Sequence, residues 1–234
     1  MLVDMHTHVL PGVDDGSKSV EESIAMLRME ARQNIDCVVA TPHFYARYDR
    51  PEEFFARREA AMATLREELL KHPDLPEVKL GAEVYFFPGM SESTVLQDLA
   101  IEGGNCVLVE LPMGTWTDQM YRELEGIYAK QGLIPIIAHL DRYIKPFRAT
   151  GVLRKLEELP VLVQANANFF LQRSTTNMAM RMLRRNQIHL LGSDCHNLVH
   201  RKPYLGEAVE LIRHRLGSEI MKQIAENQDI VFRG

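Results

Sequence analysis

Apolar positions along this chain fall into two alternating patterns, short continuous runs and longer stretches with helical spacing. Seven runs of four to eight residues read as buried strands, at residues 2–6, 37–41, 78–85, 106–111, 133–138, 161–166 and 188–193. Between the first two, residues 19–34 place Ile24, Leu27 and Ala31 on one stripe behind a Ser19/Glu22 capping box, and predict a helix. Residues 51–71 predict a second, rich in Arg and Glu, with Pro51 in its first turn, Pro73 beyond its end and a solvated outer face. Helical stretches follow at 91–99, 117–131, 152–159, 175–185 and 206–216, with a closing helix at 218–227. Strand and helix alternate throughout, which predicts an α/β fold with a parallel sheet. No Gly-, Ser- or Pro-rich linker, low-complexity tract or repeat interrupts the 234 residues, so one domain over 1–234 is expected.

Composition narrows the function classes. With 46% hydrophobic and 25% charged residues, the chain is an ordinary globular protein. A net charge of -5 leaves no footprint for non-specific nucleic-acid or anionic-membrane binding. Neither a run approaching the roughly 18 apolar residues of a membrane helix nor a signal peptide is visible. Cys37, Cys106 and Cys195 form no C-x-x-C pair, which fits a reducing cytoplasm.

The strand ends carry the chemistry. In α/β barrels and open sheets, functional groups collect where strands end and the next loops begin. Here those positions hold His6 and His8, His43, Glu83, Glu110, His139, and Asp194 with His196; only the sixth run lacks such a group. Residues i and i+2 of a strand point to one side, so His6 can share a metal with His8, and Asp194 can face the same site as His196. Glu83 and Glu110 lie inside apolar runs, where a carboxylate is costly to bury without a partner. Asp14-Asp15-Gly16 adds carboxylates, of which Asp15 is favoured as a ligand. This nitrogen and carboxylate set favours Mn, Fe or Zn over soft-metal sites.

Taken together, His6-Thr7-His8, residues 11–16, Ala40-Thr41-Pro42-His43, Gly81-Ala82-Glu83, Glu110-Leu111-Pro112, residues 138–143 and residues 193–197 resemble the PHP (polymerase and histidinol phosphatase) superfamily. More narrowly, the chain is similar to its manganese-dependent bacterial tyrosine phosphatases of capsule and exopolysaccharide regulation. The resemblance implies a distorted TIM-like (β/α)7 barrel with three divalent ions, Mn2+ foremost, at the C-terminal ends of its strands. It implies His6, His8, Glu83 and Asp194 on one ion, Glu83, Glu110 and His139 on a second, and Asp15, His43 and His196 on a third, with Glu83 bridging. Arg142 and Arg201 match phosphate-binding arginines. The implied reaction is in-line attack of a metal-bridging hydroxide on phosphotyrosine of a protein, the expected partner being a bacterial tyrosine autokinase. A phenolate leaves more readily than an alkoxide, so no general acid is assigned. Asp141 stands where the family often has Glu, Phe44 where a second His is common, and Asn227-Gln228 where it ends in Asn-Pro.

Rival readings carry different chemistry. Residues 195–201 satisfy C-x5-R, the pattern of cysteine-dependent phosphatases, but no glycine lies between Cys195 and Arg201 to aim amides at phosphate. Histidinol phosphate or another small phosphomonoester is the alternative substrate for the same centre. A nuclease would need a basic channel that the composition does not offer. A binder of metal or phosphoprotein without turnover is the remaining alternative.

Overall fold

The first apolar run forms β1 (Val3–Thr7), followed by α1 (Val20–Ala31), β2 (Cys37–Ala40), β3 (His43–Phe44), α2 (Pro51–Leu69), β4 (Glu77–Leu80), β5 (Glu83–Tyr85), α3 (Val95–Leu99), β6 (Cys106–Glu110), α4 (Asp118–Gln131), β7 (Ile134–Ile137), α5 (Leu140–Tyr143), α6 (Thr150–Glu157), β8 (Leu162–Asn166), α7 (Ala167–Leu171), α8 (Thr176–Arg184), β9 (Leu190–Gly192), α9 (Leu205–Leu216) and α10 (Ser218–Val231). This computed structural model describes residues 1–144 and 150–233. All strand pairings are parallel, in the orders β1-β2-β4 and β3-β5-β6-β7-β8-β9. The sheet curls until β9 returns to β1, where the Asp194 amide donates to the His6 carbonyl at 2.8 Å and the His8 amide to the Cys195 carbonyl at 2.9 Å. The architecture is an α/β fold with a curled parallel sheet.

The expected run at 78–85 is interrupted, Gly81-Ala82 separating β4 from β5; beyond the run at 37–41, Pro42, which has no amide hydrogen, separates β2 from the additional short β3. The expected helix at 91–99 is a 3-10 turn, Met90–Glu92, followed by the short α3. The α1 capping box is half formed: Ser19 Oγ accepts the Glu22 amide at 3.3 Å, but the Glu22 carboxylate takes the Lys18 amide at 2.8 Å. Burial of Phe54, Arg58, Met62 and Leu65 along one face seats α2, with Phe54 5.0 Å from Phe44. The closing helix runs past its expected end, because Asn227 and Gln228 donate to the His189 and Val3 carbonyls at 3.1 Å and tie α10 to the sheet.

The inside of the curled sheet changes character along the strands. Its lower part is apolar, built from Val3, Met5, Val39, Leu108, Ile136, Leu162 and Leu190. By simple alternation from Val3 and Met5, His6 and His8 would turn toward the helices. A bulge prevents this: Asp4 pairs with Val38 but Thr7 with Ala40, so β1 spends one extra residue and re-aims both histidines inward. Gly16 lets the following loop close over them, since a Cβ there would stand 2.2 Å from the His8 carbonyl oxygen. No helix of the described residues is long and apolar enough to cross a membrane.

Candidate metal centre

Above the apolar floor, side chains from six of the strand ends converge on Glu83. Its Oε2 lies 3.1 Å from His6 Nε2, 3.4 Å from His8 Nε2 and 3.0 Å from His43 Nδ1. Its Oε1 lies 2.7 Å from His139 Nε2, which is also 3.5 Å from Glu110. Asp194 Oδ1 is 3.7 Å from His6 and 3.5 Å from His8, and Asp15 Oδ1 is 3.4 Å from both His43 and His196. All nine residues expected as ligands therefore surround one site. Potential ligand atoms within 4.8 Å of one another group as His6, His8 and Asp194, as His43, Glu83 and Glu110, and as His8, Asp15, His43 and His196. Relative to the expected partition, His8 and His43 each stand in two groups, and His43 joins Glu83 and Glu110 where His139 was expected.

Two backbone positions in the site are left-handed although neither is glycine, His139 at φ 32° and Asp194 at φ 56°. Such conformations cost of order 1–3 kcal/mol and persist where the surroundings over-determine them. Here they aim both side chains at the cluster.

Unaided, this arrangement is electrostatically unsatisfied. His6 and His8 Nε2 atoms face each other at 3.1 Å. Glu83 Oε2, His43 Nδ1 and His196 Nε2 are buried without hydrogen-bond partners. Two ligands about 2.1 Å from a common ion stand about 3.0–3.4 Å apart at right to tetrahedral angles, the spacing repeated across this cluster. The donor set fits divalent metal. Burial opposes charge on His8, but hydrogen bonds donated to Asp14, Asp194 and Glu83 outweigh it and hold its pKa well above the ordinary value. His6 is raised in the same sense, with Glu83 and Asp194 overcoming burial. Glu83 and Asp194 are held well below the usual carboxylate range, their histidine and Arg142 neighbours overcoming burial. Glu110 is raised, by burial and then by Glu83, and burial plus the charge on His8 push His196 down to about 3. Protons thus take the place that cations would fill.

The arginines sit differently from the simplest expectation. Arg142 donates to Asp194 Oδ2, and Arg201 to Asp194 Oδ1 at 2.6 Å. Both guanidiniums thus clamp an expected ligand while remaining about one-third exposed, 34% and 38%. Arg201 reaches this point because Asn197 Oδ1 accepts the amides of Val199, His200 and Arg201, turning the loop back.

An outer layer escaped the sequence reading. Asp14, beside the exposed Asp15, accepts from His8 Nδ1 at 2.7 Å and from the His43 amide at 3.0 Å, so it orients His8. The sixth run, which offers no ligand, supplies Gln164 and Asn166 instead. Gln164 Oε1 accepts the His139 amide at 2.6 Å, and Asn166 Nδ2 donates to Asp194 at 3.0 Å. Polar residues at alternate positions of an apolar strand were the available signal. Trp116 is a packing residue, buried 5.0 Å from the Tyr143 ring.

Cys195 points away from the cluster, with Sγ 4.0 Å from Glu30 Oε1, and burial followed by Glu30 and Asp4 raises its thiol pKa well above the ordinary value. That environment opposes a thiolate nucleophile. Cys195→Ser is expected to retain turnover within a factor of about three, the scale of a modest packing change; complete loss with metal content intact would reinstate cysteine chemistry.

A curled parallel α/β sheet bearing a histidine and carboxylate cluster at its C-terminal strand ends gives the chain a candidate metal centre. The chain belongs to the family described as capsular polysaccharide synthesis, CpsB/CapC, which matches residues 2–233. It is 28% identical over 233 residues to tyrosine-protein phosphatase CpsB of Streptococcus pneumoniae, covering 95% of this chain and 94% of that one. To tyrosine-protein phosphatase YwqE of Bacillus subtilis (strain 168) it is 28% identical over 240 residues, covering 99% and 92%. Among solved structures, one described as YwqE from Bacillus subtilis and CpsB from Streptococcus pneumoniae, unique metal-dependent tyrosine phosphatases, superposes with a TM-score of 0.87 at 24% identity, over 99% of this chain and 94% of that one. The phosphotriesterase homology protein from Escherichia coli shares the fold more distantly, with a TM-score of 0.56 at 14% identity over 99% and 98%.

Proposed function

We propose that this protein is a metal-dependent phosphatase of phosphotyrosyl proteins, its whole chain forming one catalytic unit in the cytoplasm and acting on a tyrosine autokinase of polysaccharide synthesis. The single observation that carries the metal requirement is the position of Glu83, with one buried carboxylate oxygen 3.0–3.4 Å from three histidine nitrogens. The relatives named as tyrosine phosphatases support the substrate class. The curled sheet reads as a distorted (β/α)7 barrel in which β2 with β3, and β4 with β5, each count as one unit.

Three divalent ions are inferred, with Mn2+ foremost. His6, His8 and Asp194 would hold one, Glu83 and Glu110 with His43 or His139 a second, and Asp15, His43 and His196 a third. When bound, such ions lower the pKa of water and neutralise phosphate charge. The protein's own groups do the rest. Glu83 spans the centre with its two oxygens, and Asp14 fixes the tautomer and tilt of His8 by occupying Nδ1. Arg142 and Arg201 hold Asp194 in its left-handed turn and offer their exposed edges to phosphate oxygens, a charge-assisted and geometrically specific contact. No acid is placed at the leaving oxygen, and a phenolate, with a parent pKa near 10, tolerates that.

Equal concentrations of a phosphotyrosyl peptide and histidinol phosphate separate this reading from the small-substrate alternative. The peptide is expected to be turned over with kcat/KM at least about tenfold higher, as differential transition-state binding requires. Preference for histidinol phosphate would contradict the assignment.

A further inference from the structure

A cavity of ≈ 400 Å3 is lined by Tyr45, Arg47, Tyr48, Tyr85, Phe86 and Phe87, and the Tyr45 ring joins it to His43 of the cluster at 5.4 Å. Its size falls in the range of roughly 300–1,000 Å3 of small-molecule pockets, and its wall is largely aromatic. Its placement follows from the strands. His43 pairs with Glu83 and Phe44 with Val84 across β3 and β5. Tyr45 and Tyr85 lie two residues beyond His43 and Glu83, so they project to the same side one rung higher, about 6.6–6.8 Å along the chain. The rings confirm the ladder: Tyr45 is 5.4 Å from His43 and 5.6 Å from Tyr85. Tyr85 also pairs with Glu110.

Phe86 and Phe87 pack against the core with one side, and each of these aromatics keeps part of its surface exposed. Tyr45, Tyr85, Phe86 and Phe87 are only partly buried, and Tyr48 is 77% exposed. Partly exposed aromatic faces grouped over a polar centre offer ring stacking to a ligand that is charged at one end and aromatic at the other. Resting on the phosphatase reading above, we propose that this pocket receives the phenyl ring of the substrate phosphotyrosine, and that Tyr85 and Phe87 give the enzyme its preference for aryl over alkyl phosphates. An aryl phosphate with its phosphorus at the cluster needs a ring site one short linkage away, and the Tyr45–Tyr85 rung provides it on the very strands that carry His43 and Glu83. The exposed Arg47 in its lining suits an acidic peptide. A second cavity, of ≈ 600 Å3 and including Trp116 and Tyr121, reaches the cluster through Arg142. There the Tyr143 hydroxyl is taken by the Leu111 amide at 2.9 Å, and the Trp116 indole donates to the Pro112 carbonyl at 3.2 Å, so the rings are already engaged.

The test is calorimetric binding of a peptide carrying phosphonomethyl-phenylalanine, a non-hydrolysable phosphotyrosine mimic, to the metal-loaded protein and to its Tyr85→Ala, Phe87→Ala and Trp116→Ala variants. Inorganic phosphate is titrated in parallel. Tyr85→Ala and Phe87→Ala should each weaken the peptide by roughly five- to tenfold, the scale of one lost aromatic contact, with phosphate affinity unchanged. Should one variant fold poorly, the other decides. Unaltered peptide affinity in both, or a loss confined to Trp116→Ala, overturns the pocket while leaving the phosphatase reading standing. A wild-type protein that binds phosphate but neither binds the mimic nor hydrolyses phosphotyrosine overturns both.

Discussion

Replacing Glu83 with glutamine is expected to abolish phosphotyrosine hydrolysis, well beyond the roughly 10–100-fold that loss of an outer partner costs a metal site. Glutamine keeps the size of the side chain and removes the charge. Glu83 is 1% exposed and contacts His6, His8, His43 and His139, so every proposed metal position loses either a ligand or the counter-charge of a neighbour. Bound metal per protein should fall in the same variant, while circular dichroism stays near wild type because the apolar floor below is untouched. Metal content and turnover within tenfold of wild type would show that the carboxylate is a structural group and not the hub of the centre.

The second large effect is on stability and its pH dependence. In the metal-free protein, Glu83 and Asp194 have lowered pKa values, so their contribution is present above the ordinary carboxylate range and fades only as pH falls through the lowered values. His6 and His8 have raised pKa values, so theirs is complete below about 6.5 and is lost as pH rises through the raised values. The metal-free chain should therefore weaken on the alkaline side as His6 and His8 release their protons, while the lowered pKa of His196 works the other way and removes stability as pH falls below about 6.5. Metal reverses the trend, because it requires the unprotonated histidines. Manganese at a fixed concentration a hundred times its dissociation constant at pH 8 would add about 2.7 kcal/mol there, a rise in Tm of about 5–11 °C for a domain of this length. That rise should be present at pH 8 and nearly absent at pH 5.5. An equal rise at both values would mean that metal binds without displacing protons from these histidines.

The candidate ligands were readable because they broke the rules of their surroundings. Glu83 and Glu110 stand inside apolar strands, and His6 with His8 and Asp194 with His196 share the two-residue period of extended chain. What could not be read depends on three-dimensional events with no local signature. The β1 bulge that turns His6 and His8 inward is set by pairing with β2. The left-handed turn at His139 places the imidazole against Glu83, although nothing about histidine predicts that conformation. Asp14 and Asp15 are adjacent and chemically identical, and only the loop closed at Gly16 sends one to His8 Nδ1 and leaves the other exposed at the rim. Arg142 and Arg201 looked free for phosphate, and the fold brings both first to Asp194. Among the strands, Pro42 marked the break between β2 and β3, while the break at Gly81-Ala82 was concealed by a run that reads as continuously extended.

The cluster around Glu83, if it is a metal centre for phosphotyrosine hydrolysis, must lose its activity with its metal. The most direct measurement is turnover of a phosphotyrosyl peptide by protein stripped with chelator, with and without added manganese, zinc or magnesium, alongside metal analysis of each sample. Activity that disappears with the metal and returns with manganese is the predicted result; full activity in protein verified to be metal-free would contradict it.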